Sequence, residues 1–266
     1  MRRLLVCGLV LLGGLLTSDP PAFGQVARRV VDLPTRPGVT QRFLYLSPAT
    51  PQAAAILFAG GHGGLQLASD GNMRWGLGNF LVRTREKFAE HGLAVAVVDA
   101  PSDRQRDPYL AGFRQRSEHL ADVQAVIAWL RQQAPVPVWL VGTSRGTQSA
   151  AYIATELSGK EAGPDGLVLT STILVDRNSR PVPGMPLEKV AIPVLVVHHE
   201  RDGCRACPYA AVPGLMEKFT SATRKEVLAF TGGLDRGDPC EAMAHHGFNG
   251  LEDEVVAKIA AWIQVR

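Results

Sequence analysis

Five apolar runs without polar alternation constrain the fold of this chain more than any other feature of its sequence. They span residues 53–59, 93–98, 138–141, 167–170 and 192–198. Strands that lack polar alternation are buried on both faces, which is typical of parallel sheets covered by helices. We therefore predict an α/β fold: a mainly parallel, doubly wound sheet with helices on both faces.

Stretches with helical character separate or follow these runs. They cover residues 79–90, 117–133, 144–157, 209–220 and 251–263. Ser117 is the predicted N-cap of the second stretch. Residues 43–46 are predicted to form an edge strand, and residues 225–230 the last strand. The segment between residues 170 and 192 is too short for a large cap domain.

Length and charge exclude several classes of protein. The 266 residues suit one α/β domain, and the 46% hydrophobic content argues against a disordered chain. The formal net charge is +3, and no basic block occurs anywhere. We therefore expect no nucleic-acid partner.

Residues 1–24 have the layout of a secretory signal peptide. Two arginines precede an apolar stretch over residues 4–16, and small residues stand one and three positions before Gln25. The apolar stretch is shorter than the ~20 residues that a membrane-spanning helix needs. We expect cleavage before Gln25, which leaves residues 25–266 as a single domain, periplasmic or secreted, without stable membrane insertion. The alternative is an uncleaved membrane anchor.

Three cysteines remain in this mature part, and an oxidising compartment favours a disulfide between two of them. A bond between Cys204 and Cys207 would close a very small loop, whereas Cys204 with Cys240 would join two distant loops. We predict the Cys204–Cys240 disulfide, which leaves Cys207 as the odd thiol.

A zinc site is the rival interpretation of the same region. The possible ligands are His198, His199, Cys204, Cys207, His245 and His246. Their spacing is not that of a known zinc finger, so we expect neither a resident metal nor a cofactor.

Residues 142–146 read Gly-Thr-Ser-Arg-Gly and stand between a predicted buried strand and a predicted helix. This setting is typical of a nucleophile elbow. The elbow holds its serine in a strained backbone conformation, and side chains at the glycine positions would collide with the neighbouring strand and helix. We predict that Ser144 is a nucleophile; the alternative is a tight turn with a surface serine.

A serine hydroxyl is a poor nucleophile unless a base takes its proton. His245 and His246 follow the last predicted strand, and Glu200 and Asp202 follow the strand before it. Serine, acid and histidine in this chain order suit the elbow architecture. Two more acids are weaker candidates: Asp235 and Asp238.

Four motifs give the chain a resemblance to the α/β-hydrolase superfamily over residues 42–265. They are GGHGG at 60–64, GTSRG at 142–146, HERDG at 199–203 and HHGF at 245–248. Within the superfamily the chain is similar to small, lidless, exported hydrolases. The resemblance implies the α/β-hydrolase fold and a catalytic triad.

The resemblance assigns a role to each triad residue. Ser144 would attack a carbonyl carbon, His246 would take and return the proton, and Asp202 would orient the imidazole. His246 is preferred to His245 because the histidine of this family commonly precedes a glycine. Asp202 is preferred to Glu200 because the acid usually lies a few residues past the strand.

An oxyanion requires two preorganised N–H donors. The backbone N–H of Arg145 should be one, and the GGHGG loop should supply the other, with Gly61 preferred to His62. The Arg145 side chain would either reach an acidic substrate group or pair with a local carboxylate. Residues 99–104 would either shape the pocket or form a hydrogen-bonded corner.

These assignments predict a serine hydrolase that cleaves a carboxylic ester, or a related acyl bond, of a small-molecule substrate through an acyl-enzyme. One alternative is a peptidase or amidase with the same triad. A second is a non-catalytic binding protein on the hydrolase scaffold, and a third is a zinc-dependent hydrolase.

Overall fold

Residues 26–265 are described by a computed structural model, in which eight strands and six helices form. The strands are β1 (Ala27–Arg36), β2 (Val39–Ser47), β3 (Ala53–Phe58), β4 (Leu93–Val98), β5 (Val138–Thr143), β6 (Gly166–Thr170), β7 (Val194–His199) and β8 (Lys225–Phe230). The helices are α1 (Phe80–Arg83), α2 (Arg85–Glu90), α3 (Ser117–Gln133), α4 (Gly146–Leu157), α5 (Val212–Lys218) and α6 (Glu252–Gln264). The predicted signal peptide, residues 1–24, lies outside the described residues.

All eight strands belong to one sheet, in the order β1-β2-β4-β3-β5-β6-β7-β8. The β1–β2 and β2–β4 pairs are antiparallel, and every pair from β4 to β8 is parallel. The predicted mainly parallel sheet is thus confirmed. Because parallel strands end at the same edge of a sheet, the loops after β3, β5, β7 and β8 meet there.

Two apolar layers cover the sheet, one on each face. Ile56 of β3 packs in the layer that contains Val123 of α3 and Ile153 of α4. Its neighbour Leu57 packs in the opposite layer, which contains Val256 of α6. Successive strand side chains point to opposite faces, so an unbroken apolar strand supplies both layers. Helices on both faces are therefore confirmed.

The antiparallel end of the sheet differs from the sequence prediction. Residues 43–46 were expected to form an edge strand, but β2 lies inside the sheet because β1 pairs along it. β1 was not predicted, because its side chains are all exposed or half-buried and form no apolar run. Pro34 suits an edge strand, because the N–H that proline lacks is not needed for hydrogen bonds on the side of the strand that has no neighbour.

Four helix predictions need correction, among them the one over residues 144–157, which becomes helical only at Gly146. Residues 79–90 form two short helices that meet at Thr84, whose Oγ1 donates to Phe80 O at 2.7 Å. Ser117 is the first residue of α3 and not its N-cap; its Oγ donates to the Glu118 carboxylate. The predicted helix over 209–220 starts as a 3₁₀ turn and becomes α5 only at Val212.

The connection from β6 to β7 holds two one-turn 3₁₀ helices, Val182–Gly184 and Leu187–Lys189, and no cap domain. Within residues 26–265, no helix has the length and hydrophobicity to cross a membrane.

Candidate active site

Ser144 lies on a sharp turn between β5 and α4. Its φ is 51°, in the left-handed region that side chains rarely adopt, and its backbone N–H donates to Thr170 O at 3.0 Å. Helix α4 begins at Gly146, two residues later. The turn therefore presents the serine at the carboxyl end of the central strands, with the start of a helix beside it.

The two glycines of the elbow are required by close backbone contacts. A Cβ at Gly142 would lie 2.6 Å from the carbonyl oxygen of Gly146. A Cβ at Gly146 would overlap the carbonyl oxygen of Phe58, at the end of β3. Gly142 is thus limited by the helix and Gly146 by the neighbouring strand, which is the physical reason that the sequence analysis gave for the motif.

Asp202 follows β7 and contacts a histidine side chain. Its Oδ2 lies 2.9 Å from His246 Nδ1, and its Oδ1 accepts the N–H of Cys204 at 2.9 Å. The carboxylate is fully buried. The other acid considered, Glu200, is exposed and contributes only a backbone hydrogen bond to Phe230.

His246 lies in a 3₁₀ turn after β8. Its carbonyl oxygen accepts the Ser171 hydroxyl at 2.7 Å, which holds the turn against the end of β6. A Cβ at Gly247 would overlap the Ala242 carbonyl oxygen, so the residue after the histidine is required to be glycine. Among the described residues, His246 Nε2 is buried and has no hydrogen-bond partner.

The other histidine and acid candidates of this region point elsewhere. His245 stacks on His199 with ring centroids 4.1 Å apart, and its Nδ1 lies 3.8 Å from Asp235. Asp238 accepts the backbone N–H of Cys240 at 2.8 Å. The geometry therefore favours His246 with Asp202 as the pair beside the serine.

Ser144 and His246 line one cavity of about 410 Å³. Gly61, Arg145 and the disulfide cysteines also line it. Ser144 and His246 do not hydrogen-bond to each other in this structure. Both groups nevertheless face the same space, into which a substrate carbonyl would have to enter to lie near both of them.

The GGHGG loop separates Gly61 from His62. Gly61 lines the cavity at φ +57°, and a Cβ there would lie 2.6 Å from Trp75. His62 does not line this cavity; its ring lies between Trp75 at 3.9 Å and Tyr109 at 4.4 Å. The Gly61 and Arg145 N–H groups donate no hydrogen bond to other described residues. Both N–H groups are thus available to a ligand.

Arg114 supports this loop from behind, a contact that the sequence analysis missed. Its guanidinium donates to the carbonyl oxygens of Ala59 at 3.0 Å and Gly61 at 3.1 Å, and to Ser149 Oγ at 3.0 Å. Burial, together with the charge of Arg145, lowers the pKa of Arg114 to about 9. No local pattern marks this arginine, because the loop it contacts lies more than fifty residues earlier.

Two open alternatives of the sequence analysis are decided by hydrogen bonds. Arg145 Nη1 donates to Asp176 Oδ2 at 2.7 Å, so this arginine pairs with a local carboxylate. Asp99 accepts the backbone N–H groups of Leu65, Leu67 and Ala100. Asp99 is therefore the centre of a hydrogen-bonded corner that anchors the chain after GGHGG.

The disulfide joins Cys204 and Cys240, which is the predicted pairing. It links the loop of Asp202 to the segment before His246. Cys207 stays a buried thiol that donates to Ser171 O at 3.3 Å, and burial raises its pKa. The ligand atoms of Cys204, Cys207 and His246 lie within 4.8 Å of one another. Since the Cys204 sulfur is in a disulfide, this group does not offer a thiolate pair to zinc.

Comparisons with known proteins rest on structure alone. No protein-family model and no curated protein sequence matches the chain. An esterase of Pyrococcus furiosus is similar with a TM-score of 0.64 at 13% identity, over 96% of this chain and 98% of that one. A dienelactone hydrolase of Anabaena variabilis gives 0.62 at 15% identity, over 90% and 96%.

A third solved structure, a serine hydrolase homologue of Coxiella burnetii, gives a TM-score of 0.57 at 14% identity, over 95% of this chain and 98% of that one. The coverage shows that these likenesses extend over nearly all of each chain. Together with the strand order and the turn at Ser144, they establish that this chain has the α/β-hydrolase fold.

Proposed function

We propose that the protein is a serine hydrolase that cleaves a carboxylic ester, or a related acyl bond, of a small molecule through an acyl-enzyme. The observation that carries the proposal is the buried Asp202–His246 pair, which leaves His246 Nε2 without a hydrogen-bond partner among the described residues at a cavity that His246 and Ser144 both line. The esterases among the structural neighbours support the same class of reaction.

The proposed reaction has two halves. His246 Nε2 takes the proton of the Ser144 hydroxyl as the oxygen attacks the carbonyl carbon, and Asp202 stabilises the imidazolium that forms. The N–H groups of Gly61 and Arg145 bind the oxyanion, a contribution of ~3 kcal/mol for each donor. His246 then gives the proton to the departing alcohol, and a water molecule releases the acyl group by the same steps.

Covalent labelling with a fluorophosphonate probe tests the nucleophile. We expect the wild type to be labelled and Ser144→Ala to be unlabelled, with ester turnover reduced by ~10⁶. Ser117→Ala removes an exposed hydroxyl at the start of α3 and should be labelled like the wild type. Equal labelling of Ser144→Ala would exclude Ser144 as the nucleophile, whereas no labelling of either protein would favour the binding-protein alternative.

A substrate panel separates ester from amide hydrolysis, because a peptidase or amidase would use the same three residues. We expect p-nitrophenyl esters to be cleaved faster than aminoacyl anilides. The opposite order would assign the protein to the amidase alternative. Turnover that survives a chelator would remove the zinc-dependent alternative.

Export is a further part of the proposal. The disulfide supports an oxidising compartment, where such bonds persist. N-terminal sequencing of the protein recovered outside the cytoplasm should start at Gln25. Recovery of the intact N-terminus in the membrane fraction would favour the anchor alternative.

A further inference from the structure

A second cavity, of about 610 Å³, adjoins the cavity of Ser144. Gly61 and Arg145, the residues whose N–H groups are the proposed oxyanion donors, line both cavities, so the two spaces are neighbours. A substrate held for attack by Ser144 would therefore have the second cavity directly beside its reacting carbonyl. The reaction proposed above uses none of the side chains that line this second cavity.

Arginine dominates the wall of the second cavity. Arg114, Arg116, Arg145 and Arg180 line it, and no aspartate or glutamate among the described residues does. The remaining polar lining is uncharged and includes Gln148. We name this space the arginine cavity.

Most of these positive charges have no carboxylate partner. Arg145 pairs with Asp176. Arg180 donates to the Gln115 side-chain oxygen at 2.7 Å, Arg116 donates to Gly112 O at 3.3 Å, and within residues 26–265 neither forms an ion pair. The guanidinium of Arg114 has only neutral hydrogen-bond partners in the described part of the chain. A guanidinium group whose partners are neutral can still form an ion pair with an anionic ligand.

Asp176, the partner of Arg145, is held in its charged form. Burial alone would raise the pKa of Asp176, but hydrogen bonds from Ser179 and from the Asn178 N–H, with the Arg145 guanidinium, lower it to about 2. Asp176 therefore neutralises one guanidinium, and the other three form no ion pair within residues 26–265, although the Glu118 carboxylate attracts Arg116 at longer range. A neutral substrate would gain nothing from this arrangement, whereas an anion would gain charge-assisted hydrogen bonds.

We propose that the arginine cavity binds an anionic oxyacid group, a carboxylate or a phosphate, on the ester that Ser144 cleaves. The inference rests on the proposed function and narrows its substrate class to negatively charged esters. Carboxylate and phosphate share the geometry that a guanidinium fork recognises, with two oxygens accepting parallel N–H groups. The charge would lie either on the acyl part or on the alcohol part of the substrate.

Matched esters test the proposal and locate the charge. On the alcohol side we would compare 4-acetoxybenzoate and 4-acetoxyphenyl phosphate with the neutral methyl 4-acetoxybenzoate. On the acyl side we would compare monophenyl adipate with phenyl hexanoate. We expect the anionic member of at least one pair to have a kcat/KM about tenfold higher, which corresponds to one charge-assisted hydrogen bond. The preference should shrink as the salt concentration rises.

Arginine variants assign the preference to the cavity. Arg180→Gln and Arg116→Gln change exposed side chains and should lower kcat/KM for the preferred anionic ester about tenfold while leaving the neutral ester unchanged. Arg177→Gln is the matched control, because this exposed arginine precedes the same loop segment but does not line the cavity. Equal kcat/KM for anionic and neutral esters would overturn the proposal. So would a preference that both cavity variants retain.

Binding separates this inference from the proposed function. If no ester of either kind is cleaved, the proposed function fails, and calorimetry of Ser144→Ala with 4-acetoxybenzoate and with monophenyl adipate still decides the inference. Binding of either anion but not of its neutral counterpart, weakened by adding Arg180→Gln, would support an anion site. If neither 4-acetoxybenzoate nor monophenyl adipate binds more tightly than its neutral counterpart, the inference is rejected.

Discussion

The Asp202 carboxylate lies 2.9 Å from His246 Nδ1, and both side chains are buried. A carboxylate at this distance accepts the proton of Nδ1, which leaves the lone pair of the neutral imidazole on Nε2. Nε2 has no hydrogen-bond partner among the described residues, and His246 lines the cavity of Ser144. The contact therefore favours the tautomer that the proposed base role of His246 requires.

Replacing Asp202 by asparagine tests this dependence. We expect Asp202→Asn to fold and to lose ~10⁴ in kcat, because an amide can stabilise the wrong tautomer and cannot stabilise the imidazolium. Steady-state ester hydrolysis measures the loss. Glu200→Gln, an exposed change two residues earlier, should keep wild-type kcat. Wild-type turnover by Asp202→Asn would remove the aspartate from the mechanism.

The Cys204–Cys240 disulfide should support both stability and turnover. The bond spans 36 residues, and the chain-entropy model gives about 4 kcal/mol for a loop of that size. The N–H of Cys204 also donates to Asp202, so loosening this loop would misplace the acid. We expect reduction to lower the free energy of unfolding by about 4 kcal/mol and kcat by about 10- to 100-fold.

Urea denaturation and ester hydrolysis, each with and without dithiothreitol, measure these losses. A variant with Cys204→Ala and Cys240→Ala is the control, because the reductant should change neither quantity further. A reduced wild type that keeps its urea midpoint and its kcat would show that the bond has neither role.

Gly146 should tolerate no side chain. A Cβ there overlaps Phe58 O, so Gly146→Ala must displace either β3 or the start of α4. We expect destabilisation of at least about 1–3 kcal/mol and a fall of about 100-fold in the fluorophosphonate labelling rate, as Ser144 moves. Gly214→Ala, in α5 with open space around its Cβ, should raise stability by up to about 1 kcal/mol and leave labelling unchanged. Wild-type labelling by Gly146→Ala would contradict the steric account.

The buried strands could be predicted because a strand that is covered on both faces is apolar at successive positions. The strand bounds predicted for β4 and β8 match the structure, and an apolar stretch such as Leu93–Val98 is stable only between two layers of helices. β1 could not be predicted in this way, since an edge strand with half-exposed side chains has no apolar run to mark it.

The site was predictable where a motif fixes the backbone. The elbow glycines and Gly247 are required by contacts within a few ångströms, so the sequence around Ser144 and His246 carries the local geometry. The choice between Gly61 and His62 depended on Trp75, which packs against the loop from a distant segment. Arg114 contacts this loop across a still longer separation in sequence, and the spacing of residues does not predict such contacts.

Two buried histidines should make stability fall in mild acid. Burial, with the charges of Arg114 and Arg36, lowers the pKa of His119 to about 3. Burial lowers the pKa of His198 to about 4. In the unfolded chain both rings take up a proton below a pH of about 6.5. The folded protein does not, so stability present above that pH is lost as the pH falls toward these lowered values.

Each histidine should lower the free energy of unfolding by about 1.5 kcal/mol between pH 6.5 and pH 5. In His119→Phe the decrease that is due to His119 should be absent. Phenylalanine suits the site, because the His119 ring packs against Phe58 and Phe113. Urea denaturation across this pH interval measures the slope, and the exposed His91→Gln should leave it unchanged. If His119→Phe kept the wild-type dependence of unfolding free energy on pH, the His119 ring would have to take up its proton in the folded protein as well. Such protonation is unfavourable, because neither ring nitrogen has a hydrogen-bond partner among the described residues.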